Sequence, residues 1–599
     1  AKDARRTGPK PNLIRRIPML GRLLRRVPGV AVSTAAPLCL AAVFTAAALL
    51  SSRPALSLAV VPPSFAVDDA APGAAFAAAT GIAFLPDGRF LVTEKRGRVY
   101  EVRGGVKQAI PLWAGENEVL DQHDRGLLGI AVDPKYFVNH LIYLLYTADP
   151  DSNGVDTNDD GFGRLTRYQV NFTDSATVLA SSRTILMGYN WTNGPVSASP
   201  SHTVGALDWG RDGSLLVSIG DGAQFDFADG GGGFAGDVGA FGAGKTDPNE
   251  DIGAFRAQDI TSLAGKILRI NPANGHGYAS NPYANGNLAS VQSRVWAYGV
   301  RNPFRFTVRP GTGVADTTAG SPGSVYIGDV GWNNFEEMNI ARVGGRNFGW
   351  PCYEGLGGNS TYQALNPAHN GCGSFGTATN PATATAPTTS WSHGIPTLSD
   401  PAGFTGNTSI GGAFYTSNQY PAQYRNQYFF ADYGQNWIMV AVMDANDNRL
   451  QLLDFATSAD GPVDLAVNPV TGDVYFISII SQLVSRIRYT GVVGGNTPPI
   501  AAINAAPTLG TAPLTVNFSA TGSFDADGDP ITYSWLFGDG GSDTGINPSH
   551  LYTTFGLMTA QLTVSDNRGG QGVTTVTISV NPPGTGFPTT GILDNFNRA

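Results

Sequence analysis

Between residues 81 and 489 one pattern recurs: an apolar pair meets a Pro/Asp/Gly turn, and a second strand-like run follows. The copies are GIAFLPDGRFLVTE (81–94), GIAVDPKYFVNHLIYLLYT (129–147), ALDWGRDGSLLVSIGD (206–221), FTVRPGTGVADTTAGSPGSVYIGD (306–329) and DLAVNPVTGDVYFIS (464–478). A looser copy is GGAFYTSNQYPAQYRNQYFFADY (411–433). Pro-Asp-Gly or Arg-Asp-Gly between alternating strands signals a hairpin. Six such units fit an all-β, six-bladed β-propeller, in which each blade buries its faces against its neighbours. Loops at one end of such a ring build a site over the central channel. A row of β-sandwiches is the alternative. The unequal spacing, with inserts at Asp221 to Asp259 and Cys352 to Pro401, favours the propeller.

A linker, GVVGGNTPP (491–499), leads to a second unit at 500–581. It contains a DADGDP turn, a WLFGDG run and a late VSDNRG strand-turn. These marks resemble a PKD domain, an Ig-like β-sandwich, and Trp535 is its expected core aromatic. Asp525, Asp527 and Asp529 alternate around Gly528, and either hold Ca²⁺ or form a solvated acidic turn. Residues 582–599, ending ILDNFNRA, read as the start of a further domain.

The N-terminus is basic, from Arg5 through Arg26, and Val30 to Leu50 is apolar and uncharged. That order is a targeting segment. Ser64-Phe65-Ala66 is the expected cleavage site, giving a segment at 1–66 and a propeller at 67–490; an uncleaved anchor would tie the chain to a membrane. The 76 Gly, 39 Pro and 14% charged residues suit a turn-rich exported β protein, secreted, periplasmic or on the cell surface. A net charge of −9 argues against nucleic acid as a partner. Cys39 lies in the apolar segment, which leaves Cys352 and Cys372 as an even pair in one long loop. A disulfide is expected there, free thiols being the alternative.

The stretch from Ser262 to Pro351 reads SLAGKILRINP, AYGVRNPFRF, VYIGDVGWNNFEEMN and GGRNFGWP. Strands that end in loops rich in charge and glycine present a polar site on a rigid scaffold. The order of segments resembles the glucose/sorbosone dehydrogenase family of soluble quinoprotein sugar dehydrogenases. Within it, the chain looks most like the branch with the hedgehog-interacting-protein-like propellers. The resemblance implies oxidation of an aldose at C1 to a lactone, with pyrroloquinoline quinone (PQQ) and Ca²⁺ as cofactors and an external electron acceptor as partner. His202, in SASPSHTVGALDWG, matches the base that takes the C1 hydroxyl proton; a solvated loop histidine is the bland alternative. Arg301 and Asn302 match the RNP element that holds the quinone. By position, the carbonyls of Gly331 and Trp332 would bind the Ca²⁺, with Glu337 as a further ligand or a brace. Asp124 would either orient His202 or cap its strand.

The chain also departs from the family. Two arginines and a lysine that clamp the PQQ carboxylates match Gly461, Val463 and Gly434 here, and Arg305, Arg346 and Arg425 are the candidate replacements. Losing three charge-assisted hydrogen bonds, each roughly 1.5–3 kcal/mol, would weaken PQQ binding. A non-catalytic propeller that grips a glycan or protein is therefore the rival reading. The PKD unit would serve either one as a spacer or as a glycan or surface contact.

Overall fold

The structure is a computed structural model that describes residues 59–156, 160–171, 177–233, 239–242, 245–365, 367, 369–377, 380–393, 404–491, 498–525, 529–566 and 569–583. The targeting segment before residue 59, Cys39, Asp527 and the tail from 584 lie outside the described residues. No helix among the described residues is long and apolar enough to cross a membrane.

Six sheets follow one another along the chain, antiparallel except for the short parallel pair Thr389–His393 and Thr405–Gly406 in the fourth. Their innermost strands are Ala79–Phe84, Leu127–Val132, Val204–Trp209, Pro303–Val308, Ser409–Phe414 and Pro462–Val467. Each packs against the next, and the last packs against the first, which closes a ring of six blades. Every innermost strand turns into a second strand: Phe90–Glu94, Leu141–Ala148, Leu215–Ile219, Val325–Asp329, Tyr428–Asp432 and Val474–Ser478. These are the six hairpins of the repeat. Five of the second strands are buried at every residue and the remaining one at all but its first. Burial on both faces explains their near-continuous apolar character.

The sixth blade is closed from the other end of the sequence. Phe65–Asp69 pairs antiparallel with Leu483–Tyr489, Phe65 opposite Tyr489 and Asp69 opposite Ser485. The Phe65 ring meets Tyr420 at 4.9 Å, Phe455 and Tyr489 at 5.1 Å and Tyr424 at 5.6 Å, all edge-on. Asp68 accepts from Arg486 at 3.0 Å and from Arg488. A bridge between Val60 and Thr457 carries the ordered chain further back. The expected junction at Ala66 thus falls inside a strand, and the described part of the propeller reaches back to Val60.

The ring axis is filled midway. Phe304 packs on the cores of the third, fifth, sixth and first blades. Arg305 is buried beside it, 3.3 Å from Asp464 of the sixth blade, and donates to the Thr80 carbonyl of the first. An axial cavity of about 250 Å³ is lined by Ile82, Ile130, Asp208, Arg305 and Asp464.

The C-terminal unit is a β-sandwich. Asn504–Ala506, Leu514–Ser519 and Ser549–Tyr552 form one sheet; the other runs Leu509–Thr511, Gln571–Asn581, Gly556–Ser565, Thr532–Leu536, Ser542–Asp543. Trp535 is fully buried, beside Phe518 at 5.5 Å, and its indole N–H donates to the Gly545 carbonyl at 2.8 Å. Asp525 accepts from the Asp529 amide at 3.0 Å. Among the described residues no group of three side chains is placed to hold a metal ion, in the sandwich or the propeller.

If Phe65 is the rivet of the closing strand, Phe65→Ala should cost about 2–3 kcal/mol of propeller stability. A chain starting after Ala66 should lose at least as much. Urea midpoints of the two variants against the parent measure this, and unchanged midpoints would mean that the closing strand is dispensable.

Candidate active site

All six innermost strands run in the same direction, so the residues just before them share one end of the ring. Asp124, His202, Arg301 and Asn302 stand there, as do the turns after the second strands, which hold Asp221, Gly331, Trp332 and Gly434. One device recurs at this end. A carboxylate closing the second strand accepts from the loop that enters the innermost strand. Glu94 accepts from the Ala77 amide at 3.0 Å. Asp329 accepts from the amides of Arg301, at 3.1 and 3.0 Å, and Asn302, at 2.8 Å. Asp432 accepts from Asn407 and Thr408, both at 3.0 Å.

In the third blade the same position, Asp221, accepts from a side chain. Its Oδ1 lies 3.0 Å from His202 Nδ1, and the Ala223 amide donates to the same oxygen at 2.9 Å. Oδ2 accepts the Trp350 indole N–H at 2.8 Å. The Asp221 amide donates to the Arg301 carbonyl at 2.8 Å, so base and guanidinium stand on one short chain of bonds. Burial would push the Asp221 carboxyl up, but His202 and then Arg301 outweigh it and hold Asp221 below the usual carboxylate range. With Asp221 ionised, the imidazole proton sits on Nδ1 and Nε2 is the basic nitrogen.

The His202 backbone is left-handed, at φ 51°, and its carbonyl accepts from the Gly222 amide at 2.9 Å. Such a conformation costs a non-glycine residue about 1 kcal/mol or more and persists where the surroundings impose it. Gly220 permits it, because a Cβ there would lie 2.2 Å from the His202 carbonyl oxygen. His202 is 4% exposed, not a solvated loop histidine.

Asp124 accepts from the Ser201 hydroxyl at 2.6 Å, one residue short of His202. The expectation that it orients the imidazole is corrected: among the described residues the carboxylate bonded to His202 is that of Asp221. The usable signal was the repeated ending IGD at 219–221 and 327–329 and AD at 431–432.

The Arg301 guanidinium donates through Nη1 to the carbonyls of Val330, at 3.1 Å, and Gly331, at 2.7 Å, and lies 5.5 Å from the Trp350 ring. The Gly331 carbonyl, expected on Ca²⁺, thus accepts from Arg301. Glu354 braces the same loop, its Oε1 taking the amides of Trp332, Asn333 and Asn334 at 2.8–2.9 Å. Sequence reasoning missed Glu354, which stands 22 residues from Trp332 in a different loop. A Cβ at Gly331 would lie 1.6 Å from the Phe335 carbonyl oxygen, so the turn requires glycine. Glu337 Oε1 accepts from the Gly355 amide at 2.6 Å and Oε2 from the Asn339 side-chain amide at 2.8 Å. Both oxygens are engaged by protein donors, the arrangement of the expected brace rather than of the further ligand. The expected disulfide joins Cys352 to Cys372.

Arg301 and Asn302 stand together at this end, whereas the positions expected to hold the clamp cations are filled otherwise. A side chain at Gly434 would strike Asn407, and one at Gly461 would meet Ile480 and Tyr433. Val463 is buried in the apolar core between the sixth and first blades. Burial pushes the Tyr433 phenol up, with Asp124 and Asp460 adding to it, so this side of the mouth is acidic. Of the proposed replacements, Arg305 is locked in the axis, Arg425 donates to the carbonyls of Tyr420 and Asn418, and Arg346 is exposed beside the third blade. The Lys95 amine donates to the carbonyls of Asp121 and His123. The residues present therefore fit the reactive quinone end of PQQ and not its three carboxylates.

The family model described as Glucose / Sorbosone dehydrogenase matches residues 76–461. The chain belongs to this family. A PKD domain model matches residues 496–580. An uncharacterized protein of Synechocystis sp., slr1608, is 30% identical over 301 residues, 48% of this chain and 60% of that protein. The aldose sugar dehydrogenase YliI of Escherichia coli is 24% identical over 271 residues, 45% of this chain and 58% of that protein. The match thus spans about three-fifths of either relative's length. The PQQ-bound form of an aldose sugar dehydrogenase from Streptomyces coelicolor is 18% identical, with 72% of this chain and 100% of that one covered and a TM-score of 0.44.

Asp329 and Glu337 face each other across the second and third strands of blade four. Burial pushes Asp329 up to about 7, and burial together with Asp329 pushes Glu337 well above the carboxylate range. The folded state then holds protons that the unfolded chain releases above about pH 4, so stability falls as pH rises from about 4 through 7. Glu337→Gln, which keeps the side-chain shape without the titrating proton, should flatten that fall. Its advantage over the parent should grow by up to about 1.4 kcal/mol per pH unit across this window. Urea midpoints in EDTA at pH 4.5 and 7.5 measure it; parallel pH dependence in both proteins would contradict the buried proton.

Proposed function

We propose that this protein is an exported dehydrogenase that oxidises an aldose at its C1 hydroxyl to the lactone. The carrying observation is the His202–Asp221 pair joined through one peptide to Arg301, all at one end of the ring. His202 Nε2 takes the C1 hydroxyl proton, and Asp221 holds the ring in the required tautomer and stabilises the imidazolium that forms. Arg301 keeps its guanidinium at the loop 330–332, with Nε and Nη2 left to meet negative charge on a bound ligand. PQQ, when bound, would supply the quinone that accepts the C1 hydride. Its holders here would be Arg301 and Asn302 at the quinone, and the Gly331 and Trp332 carbonyls would hold the Ca²⁺ only if Gly331 exchanged its Arg301 bond for the ion. Reoxidation needs an external electron acceptor. The basic and apolar N-terminal segment and the Cys352–Cys372 disulfide support export. The PKD unit would contact a glycan or a surface.

A second reading has one observation in its favour: Asn407, Ile480, Tyr433 and the apolar core occupy the space where clamp cations would stand. On that reading the propeller binds a neutral carbohydrate, or a protein, without turnover.

Purified protein given PQQ and Ca²⁺ should reduce a dye in the presence of an aldose. His202→Ala should abolish this, and Asp221→Asn should lower kcat by about 100-fold or more. Sugar binding by calorimetry without dye reduction across an aldose panel would select the second reading.

A further inference from the structure

We infer that Trp350 is a positioning residue for His202, acting through Asp221, an inference that rests on the base role proposed above. The Asp221 carboxylate has a different partner on each oxygen: imidazole Nδ1 on Oδ1 and indole Nε1 on Oδ2, at 3.0 and 2.8 Å. Rotating the carboxylate to improve one bond breaks the other, so the indole sets the plane in which the imidazole lies. Trp350 is itself tightly held. It is 4% exposed, and its ring meets Tyr362 at 5.1 Å and Trp332 at 6.5 Å. Its carbonyl accepts from Gln258 at 2.6 Å, and its amide donates to Gly299 at 2.9 Å. Two residues on, Cys352 closes the disulfide loop whose Tyr362 backs the indole. The long insert thereby backs the residue that aims the base, and the ring of Trp350 also lies under Arg301.

The molecule contains its own comparator. Trp391 donates its indole N–H to Asp432 Oδ2 at 3.1 Å, where that carboxylate holds backbone amides and no imidazole. There the same bond braces a loop only. Burial and Glu336 push Asp432 up to about 6, whereas Asp221 is held low.

The test uses the full chain. Trp350→Phe removes the N–H and keeps an aromatic ring. It should lower kcat for the aldose by about 10-fold to 100-fold, the loss expected for one hydrogen bond to a charged group, with KM within about twofold. Trp391→Phe should leave kcat unchanged. In the double variant Trp350→Phe/Asp221→Asn the loss should equal that of Asp221→Asn alone, since both act on one group. Losses that multiply would overturn the inference and leave Trp350 a packing residue. A readout independent of turnover is the indole N–H spectrum of the nine tryptophans. Trp350→Phe deletes and so assigns one peak; should that variant not fold, its shift in Asp221→Asn identifies it. The peak should move in His202→Ala, and an unmoved peak would equally overturn the inference. A protein with no aldose oxidation but a coupled indole peak would sink the proposed function and leave the positioning intact.

Discussion

A single buried carboxylate organises the candidate site. Asp221 is 1% exposed, and an ionised carboxylate in such a place costs several kcal/mol unless it is paired and bonded. It finds an imidazole, an indole and a backbone amide, and the Arg301 field acts on it as well. The three side-chain partners come from different stretches: the loop entering the third blade, the segment ahead of the disulfide, and the loop entering the fourth. Satisfying one charge therefore draws three loops to one point, and the left-handed backbone at His202 is tolerated because it serves that bond.

The origin of the arrangement is visible in the other blades. Glu94, Asp329 and Asp432 end their second strands as Asp221 nearly does, and each collects amides from the loop beside it. That is a structural device, repeated because every blade must fix the turn into its innermost strand. The third blade replaces an amide with an imidazole, and a loop brace becomes a carboxylate that orients a ring. The protonation states follow the partners. Asp329 is pushed up by burial with only amides in its grasp, while Asp221 stays ionised opposite a group that can carry positive charge.

The inner hairpins were legible because both faces are buried, so apolar residues flank a turn of fixed chemistry. The looser copy at 411–433 was also a blade, with its strands at Ser409–Phe414 and Tyr428–Asp432. The closing strand was not legible. FAVDD at 65–69 is short, follows a leader-like segment and is stabilised by rings more than 350 residues away. His202 and Arg301 could be read from local context, whereas their joining through Asp221 could not, since it depends on the packing of two blades. Glu354 escaped for the same reason: a carboxylate that gathers three amides across a loop leaves no spacing signal. The clamp positions were read as missing charge, and the structure gives the reason: Asn407, Tyr433 and Ile480 fill the space.

The site thus combines a buried imidazole–carboxylate pair with an acidic, filled flank at the positions expected to hold cations. Everything chemical in this account requires that Asp221 hold the imidazole proton on Nδ1 and leave Nε2 bare. Long-range ¹H–¹⁵N correlation of the imidazole rings in labelled full-length protein at pH 8, with His202→Ala to assign the signal, reads the tautomer directly. The account predicts a protonated Nδ1 and an unprotonated Nε2 on His202. A proton on Nε2 would contradict it.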